Sequence, residues 1–394
     1  MDIRRDFDNK NILIWGYGRE GQSTEAFLKQ YCRPKEITVF EGSREEIDED
    51  KFDLIIKSPG IIMDEDHPKY TSQTEIFLSA FSQNVIGITG TKGKSTTSAL
   101  LYHVLKNTLK RKVILLGNIG EPCLNHYGEI DADTVVVFEM SCHQLAHTKV
   151  SPHIAVFLNL YEEHLDYYQT FEKYCKAKCN ITKYQTEQDV LYVGEMLGDI
   201  ATRAQKIIIP ATGFDYDLKI LGEHNQYNAE FVYRIATEQF GASAQEVRQF
   251  LKTFEGLSHR LQLLGVKDGI SYYDDSISTI PDATISALAA VRNAHTVLIG
   301  GMDRGINYDE LISYIRKNPG YTYIFMYDSG KRILKTLKDL PNCHYAGDLK
   351  NAVDMAKKLT PEGYAVILSP AAASYGFFKN FEERGDKFRE YAGL

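Results

Sequence analysis

Val85-Ile-Gly-Ile-Thr-Gly-Thr-Lys-Gly-Lys-Ser-Thr-Thr97 decides how this chain folds. Its first five residues are mostly β-branched and apolar, which suits a strand buried on both faces. The glycines that follow let the backbone turn its N–H groups toward phosphate, and a helix opening near Lys94 adds the positive end of its dipole. Lys94 then reaches the β and γ phosphates of a nucleotide, and Ser95 can ligate Mg²⁺. The strict spacing G-x-x-x-x-G-K-[ST] is not met, because Gly87 lies one residue too far from Gly93 and Ile88 holds the required place. The competing reading is a tight strand-to-helix turn with a solvated lysine.

Outward from this loop the same grammar repeats. Apolar β-branched runs alternate with amphipathic stretches, which predicts an α/β fold with mainly parallel sheets covered by helices. Strands are expected at Ile12 to Trp15, Ile37 to Phe40, Asp53 to Ile56, Val85 to Thr89, Val113 to Leu116, Thr134 to Phe138 and Ile154 to Leu158. A second set is expected at Thr296 to Ile299, Tyr323 to Met326 and Ala365 to Leu368, and the region between the two sets reads as rich in helix, with Asn225 to Phe240 and Ala244 to Phe254. Boundaries near Gln83 and Gly256 divide the chain into three domains, 1–83, 84–256 and 257–394.

Composition narrows the function classes. Of 394 residues, 43% are hydrophobic and 25% charged, as in globular proteins, and no apolar run is long enough to span a bilayer. With 45 basic against 53 acidic residues the net charge is −8, which argues against general binding to nucleic acid or membrane. An anionic ligand must therefore be held by local cations. Met1 to Lys10 is charged and carries no secretory apolar stretch, so a cytoplasmic location is expected, and six scattered cysteines read as free thiols.

Four further segments carry chemistry. Gly16-Tyr-Gly-Arg-Glu-Gly21 follows a strand and fits G-x-G-x-x-G, with Glu41 at a distance suited to a ribose; a dinucleotide site, a nucleoside-diphosphate site and a plain turn all fit it. In Phe138-Glu-Met-Ser-Cys-His-Gln-Leu145, Glu139 ends an apolar strand, where ligands of open α/β sheets gather, and is placed to hold a metal or is an ordinary exposed acid. His164, just beyond the next strand, is a second candidate ligand or a structural histidine. In Leu221-Gly-Glu-His-Asn-Gln-Tyr-Asn228, Asn225 and Asn228 share a helix face; their amides suit a purine edge, and Asn225 also suits a helix cap.

In this order the segments resemble the Mur ligases, enzymes that build the peptide of peptidoglycan on a UDP-linked muramoyl precursor. The loop T-G-T-K-G-K-S-T-T, with its variant spacing, and the later G-x-H-N-x-x-N are shared with that family, and the likeness spans nearly the whole chain. Leu368-Ser-Pro-Ala-Ala-Ala-Ser-Tyr-Gly-Phe-Phe-Lys-Asn-Phe-Glu-Glu-Arg-Gly-Asp-Lys-Phe388 is similar to the S-P-A-x-A-S, F-x-x-F and R-G-x-x-F run of the glutamate-adding branch.

The resemblance implies an N-terminal Rossmann-like domain for the UDP precursor, a central P-loop ATPase domain and a C-terminal Rossmann-like domain for the amino acid. It implies ATP bound by Gly90, Thr91, Lys92, Gly93, Lys94, Ser95 and Thr96, with Asn225 and Asn228 at adenine and Arg260 and Asp275 contributing from the C-terminal domain. Mg²⁺ would lie on Ser95, Glu139, His164 and a carbamylated Lys178, and Lys94, His164, Lys178 and Arg260 would carry catalysis. Asn118 and Ser58-Pro59-Gly60 match precursor-side positions, and Thr279, Arg304, Ser374 and Phe381 match amino-acid-side positions.

The implied reaction joins glutamate to UDP-N-acetylmuramoyl-L-alanine through an acyl phosphate, in a cytoplasmic monomer that serves cell-wall synthesis. Closure of the last domain would accompany ATP binding. Two departures stand out. Asp275-Ser-Ile-Ser-Thr-Ile280 replaces the usual D-S-K-A-T-N, so Ile277 stands where a lysine is expected, and E-M-S-C-H-Q-L replaces E-L-S-S-F-Q-L. Losing a cation beside a carboxylate leaves both D- and L-glutamate open as substrates. A nicotinamide-dependent oxidoreductase using Gly16 to Gly21, and a nucleotide-binding regulator without ligase chemistry, are the readings from other classes.

Overall fold

The computed structural model describes residues 3–63, 67–163 and 165–394. Three sheets follow one another along the chain. The first holds β1 (Asn11–Trp15), β2 (Glu36–Phe40), β3 (Leu54–Lys57) and β4 (Tyr70–Thr71) in the order β2-β1-β3-β4, all parallel. The second holds β5 (Val85–Thr89), β6 (Val113–Gly117), β7 (Val135–Glu139), β8 (Ile154–Phe157), β9 (Val190–Gly194) and β10 (Gln205–Ile209) in the order β10-β9-β8-β5-β7-β6, again all parallel.

The third sheet holds β11 (Gln262–Lys267), β12 (Ile270–Asp274), β13 (Ala294–Ile299), β14 (Thr322–Met326), β15 (Cys343–Gly347) and β16 (Ala365–Leu368). Its order is β11-β12-β16-β13-β14-β15, and only β11 runs antiparallel to its neighbour. In this sheet the pleat separates two cores. Val297, Ile299, Tyr323, Phe325 and Ile367 face one helical layer, whereas Leu298, Ile324, Met326, Val366 and Leu368 face the other. Both faces are covered, so these strands read as unbroken apolar runs.

The stretch expected to be rich in helix carries more strand than its sequence suggests. Helices Glu223–Phe240 and Ala244–Thr253 are there, but so are β9, β10 and the β11–β12 pair. Val190–Gly194 is buried at all five positions, and a short run buried on both sides shows no period by which to tell strand from helix.

Two compact units are formed, Met1–Leu218 with Glu223–Phe254, and Lys219–Gly222 with Glu255–Leu394. The first unit contains two sheets because one hydrophobic cluster runs through both, joining Ile12, Phe27 and Phe77 to Val85, Leu116 and Phe138. Each such fully buried large side chain is worth about 1.5–3 kcal/mol relative to exposure. Among the described residues no helix is long and apolar enough to cross a membrane. All six cysteines are free thiols.

Candidate functional site

β5 lies in the interior of the second sheet between β8 and β7, and the helix Lys94–Thr108 opens directly after the loop that follows it. Gly93 sits at the head of this helix with φ +87°, a conformation that costs an L side chain energy, and a Cβ there would lie 2.8 Å from Asn228 Oδ1. Glycine is thus required twice over. The Asn159 side chain, at the end of β8, pins the loop by accepting from Lys92 N at 2.8 Å and donating to Lys92 O at 3.0 Å. Thr91 Oγ1 accepts from Tyr161 N at 2.9 Å and lies 3.0 Å from the Tyr174 hydroxyl.

Two lysines converge on this loop. Lys94 Nζ donates to Gly90 O at 2.9 Å and Thr91 O at 3.0 Å, and Lys178 Nζ donates to the same Gly90 O at 2.8 Å. Burial pushes the Lys94 ammonium below its ordinary value. The same effect, together with the positive charge of Lys94, lowers Lys178 to about 7. Two amino groups sharing one neutral carbonyl disfavour each other's charge, so an anion arriving beside Lys94, or loss of the positive charge on Lys178, relieves the repulsion.

Glu139 ends β7 in register with Ile88 and is wholly buried. Asn118 clasps it, with Asn118 Nδ2 donating to Glu139 Oε1 at 2.9 Å and Asn118 N donating to Glu139 O at 3.0 Å. Glu139 Oε2 is buried with no hydrogen-bond partner among the described residues. An unpartnered carboxylate oxygen in the interior is costly unless something of opposite charge completes it. His164 lies outside the described residues. Among the described residues no three His, Cys, Asp or Glu side chains cluster as a metal cage.

Asn225 and Asn228 fall within the first turns of Glu223–Phe240, both buried, with Asn228 Nδ2 donating to Asn225 Oδ1 at 3.1 Å. The contact of Asn228 with Gly93 puts this amide pair beside the phosphate loop. Ser95 and Thr96 lie half-buried on the first turn of the loop's helix.

In the first sheet, the Gly16 to Gly21 turn packs tightly, since a Cβ at Gly21 would lie 2.2 Å from Gly16 O. Ser58 Oγ donates to Gly16 O at 2.9 Å, and the Tyr167 hydroxyl donates to Pro59 O at 3.2 Å. A cavity of about 490 Å³ opens at these strand ends, lined by Trp15, Gly16, Glu41, Gly42, Gly60 and Ile61 among others.

In the second unit Asp275 and Thr279 follow β12, Ser374 follows β16 and Arg304 follows β13, three adjacent parallel strands, while Arg260 precedes β11 and Phe381 opens the last helix. Asp275 Oδ1 accepts from Leu261 N at 3.1 Å, and Oδ2 accepts from Ser278 Oγ at 2.5 Å and Ser369 Oγ at 2.8 Å. Burial raises the Asp275 carboxyl to about 6. Arg260, exposed, sits between His259 (φ +62°) and Leu261 (φ +44°), two non-glycine residues in the left-handed region. Ser374 is buried, Thr279 and Phe381 are half-buried, and Arg304 is exposed.

Three residues of evident importance carry no role in the sequence reading. Asn159 stands at a strand end, which is a usable signal. Tyr174 offered none, and Arg384 none beyond lying inside the run Leu368 to Phe388.

A buried strand, a glycine turn, a helix-head lysine and a strand-end glutamate define the phosphate-loop class of α/β architecture. The description "Mur ligase middle domain" fits residues 88–196. The chain is 31% identical to UDP-N-acetylmuramoylalanine–D-glutamate ligase of Aquifex aeolicus, covering 96% of this chain and 97% of that one. It is also 30% identical to UDP-N-acetylmuramoyl-L-alanine–L-glutamate ligase of Xanthomonas euvesicatoria, over 98% and 96% of the two chains. Among solved structures, MurF ligase from Thermotoga maritima in complex with ADP superposes with a TM-score of 0.63 at 16% identity, over 99% of this chain and 96% of that one, a likeness of fold. The chain belongs to the Mur ligase family.

Proposed function

We propose that this chain is an ATP-dependent ligase that adds glutamate, with D-glutamate the favoured isomer, to UDP-N-acetylmuramoyl-L-alanine during synthesis of the peptidoglycan precursor. Full-length relatives named as ligases take the place of the oxidoreductase reading of Gly16 to Gly21. The observation that carries the chemistry is the meeting of Lys94, Lys178 and the half-satisfied Glu139 around one phosphate loop. The three-domain division at 83 and 256 is part of this reading, with the 490 Å³ cavity serving the precursor's nucleotide.

In this reading the loop N–H groups from Gly90 to Thr96 hold the phosphates of ATP. Lys94 leaves its two carbonyls for the β and γ phosphates and neutralises charge there as the alanyl carboxylate of the precursor attacks the γ phosphorus. ADP departs, an acyl phosphate forms, and the glutamate amine attacks its carbonyl carbon and expels phosphate. Asn225 and Asn228 present amide donors and acceptors to adenine. The roles of Arg260 and Asp275 toward ATP, and of Thr279, Arg304, Ser374 and Phe381 toward glutamate, rest on the family resemblance.

The residues fit a divalent cation, because Asn118 occupies one oxygen of Glu139 and the other has no partner among the described residues. Mg²⁺ bound by Glu139 and Ser95 would draw charge from the phosphate oxygens. Among the described residues no cage of several acids forms, and the phosphates would contribute to the shell of the ion. Lys178, lowered to about 7, supplies the neutral amine that adds to CO₂ with loss of a proton, so the carbamate is part of the proposal.

The test is ADP release with UDP-N-acetylmuramoyl-L-alanine and either D- or L-glutamate. Turnover with D-glutamate is expected; turnover with L-glutamate alone reassigns the isomer, and no ADP with either sinks the reading.

A further inference from the structure

Arg384 is the largest fully buried side chain among the described residues, on the helix Phe381–Ala392. Its Nε donates to Ser276 Oγ at 3.0 Å, one terminal nitrogen to Ser276 O at 2.7 Å and the other to Ala372 O at 3.0 Å. Ser276 begins the loop that carries Thr279, and Ala372 the loop that carries Ser374. Ser276 Oγ passes its own hydrogen to Phe381 O at 2.8 Å, which returns the chain of bonds to the head of the same helix.

Asp274 extends this chain in the other direction. Its Oδ1 accepts from Ser276 N at 2.9 Å, and its Oδ2 pairs with His259 Nδ1 at 2.7 Å. Ile277 N donates to His259 O at 3.1 Å, and His259 adjoins Arg260. Two aspartates therefore hold the strained backbone around Arg260, Asp274 through His259 and Asp275 through Leu261 N. Gly385, beside Arg384, makes room: a Cβ there would lie 2.1 Å from His259 Nδ1 and 2.3 Å from Asp274 Oδ2. Burying a guanidinium is costly, and here its compensation is three loop acceptors and the charge of Asp274.

We propose that Arg384 is a positioning residue: through Ser276, Asp274 and His259 it sets the loops bearing Thr279 and Ser374, the helix head at Phe381 and the segment bearing Arg260 as one rigid piece. No ligand need touch Arg384 for the pocket to depend on it. The inference rests on the proposed reading only in naming the amino acid as the ligand whose binding suffers.

Arg384→Met, Arg384→Lys and Ser276→Ala in the full chain test it, by amide hydrogen exchange and by ADP release against varied glutamate. For Arg384→Met the expected result is faster exchange in 275–280 and 371–378 together, with the KM for glutamate raised at least tenfold and kcat changed less. Arg384→Lys should fall between it and the unaltered protein, and Ser276→Ala, which removes a single hydroxyl, should shift the same two segments more weakly. Unaltered exchange in those loops, or a KM within twofold in folded Arg384→Met, overturns the inference. Should the unaltered chain release no ADP with any glutamate, the functional reading fails, while the exchange pattern still decides the role of Arg384.

Discussion

Lys178 at the phosphate loop and Arg384 in the C-terminal region are fully buried and Lys94 is half-buried, but the partners of the loop lysines and of the arginine differ in kind. Lys94 and Lys178 rest on a backbone carbonyl they share, and among the described residues no carboxylate is bonded to either. Arg384 has its guanidinium committed to acceptors on two loops. A cation on shared, displaceable acceptors, as Lys94 is, stands ready for an incoming anion, whereas one with its donors committed, as Arg384 has, holds structure in place. The difference separates binding from positioning without reference to any ligand.

Lys94→Ala presses on this contrast hardest. It should lower the rate of ADP release by about a thousandfold or more, because the charge on the transferred phosphoryl group loses its main protein counter-charge. The thermal midpoint should move little, since Gly90 O keeps its hydrogen bond from Lys178 and the crowding of two amino groups on one carbonyl is relieved. Near-normal turnover would return the loop to a plain turn.

Glu139→Gln preserves the acceptor for Asn118 and removes the charge. It should cost about a hundredfold and raise the Mg²⁺ concentration for half-maximal rate, read from a metal titration. Mn²⁺ binding followed by electron paramagnetic resonance in the presence of ATP checks the same point without turnover.

Asp275 sharpens the contrast in the second unit through pH. Its folded carboxyl titrates near 6, above the ordinary 3.8, so the protonated folded state is favoured. The stabilisation is complete below the ordinary value and is lost as pH rises toward 6, so at neutral pH this acid costs stability. Asp275→Asn should therefore stabilise β12 and β16 by about 1–3 kcal/mol at pH 7.5, with the gain shrinking toward pH 4, read by urea-dependent hydrogen exchange. A gain independent of pH would show that ionisation is not its source.

Ile277→Lys, which restores the family's usual residue, should have the smallest effect. A cation at a half-exposed loop position is worth about 0–1 kcal/mol, a change of up to about fivefold in the KM for glutamate. A larger shift that differs between D- and L-glutamate would make this position a determinant of handedness.

Much of the fold and part of the site could be read from consecutive residues. The run Val85 to Thr97 spells strand, glycine turn and helix in order, and Asn225 and Asn228, three apart, do meet on one helix face at 3.1 Å. Apolar runs between glycine turns located ten of the sixteen strands among the described residues, each to within two residues at either end, and the α/β class followed. These features are local, written in the period of the chain and in what glycine permits. Beyond them, β9 to β12 were hidden in a region that looked helical.

Only tertiary structure brought Lys178 to Gly90 O across 88 positions, or Arg384 to Ser276 across 108. It also decided that Asn118 leaves Glu139 one free oxygen. No local period encodes which strand ends will share a pocket. That is set by the order in which parallel strands assemble, and burial then converts ordinary lysines, an aspartate and an arginine into groups with distinct tasks.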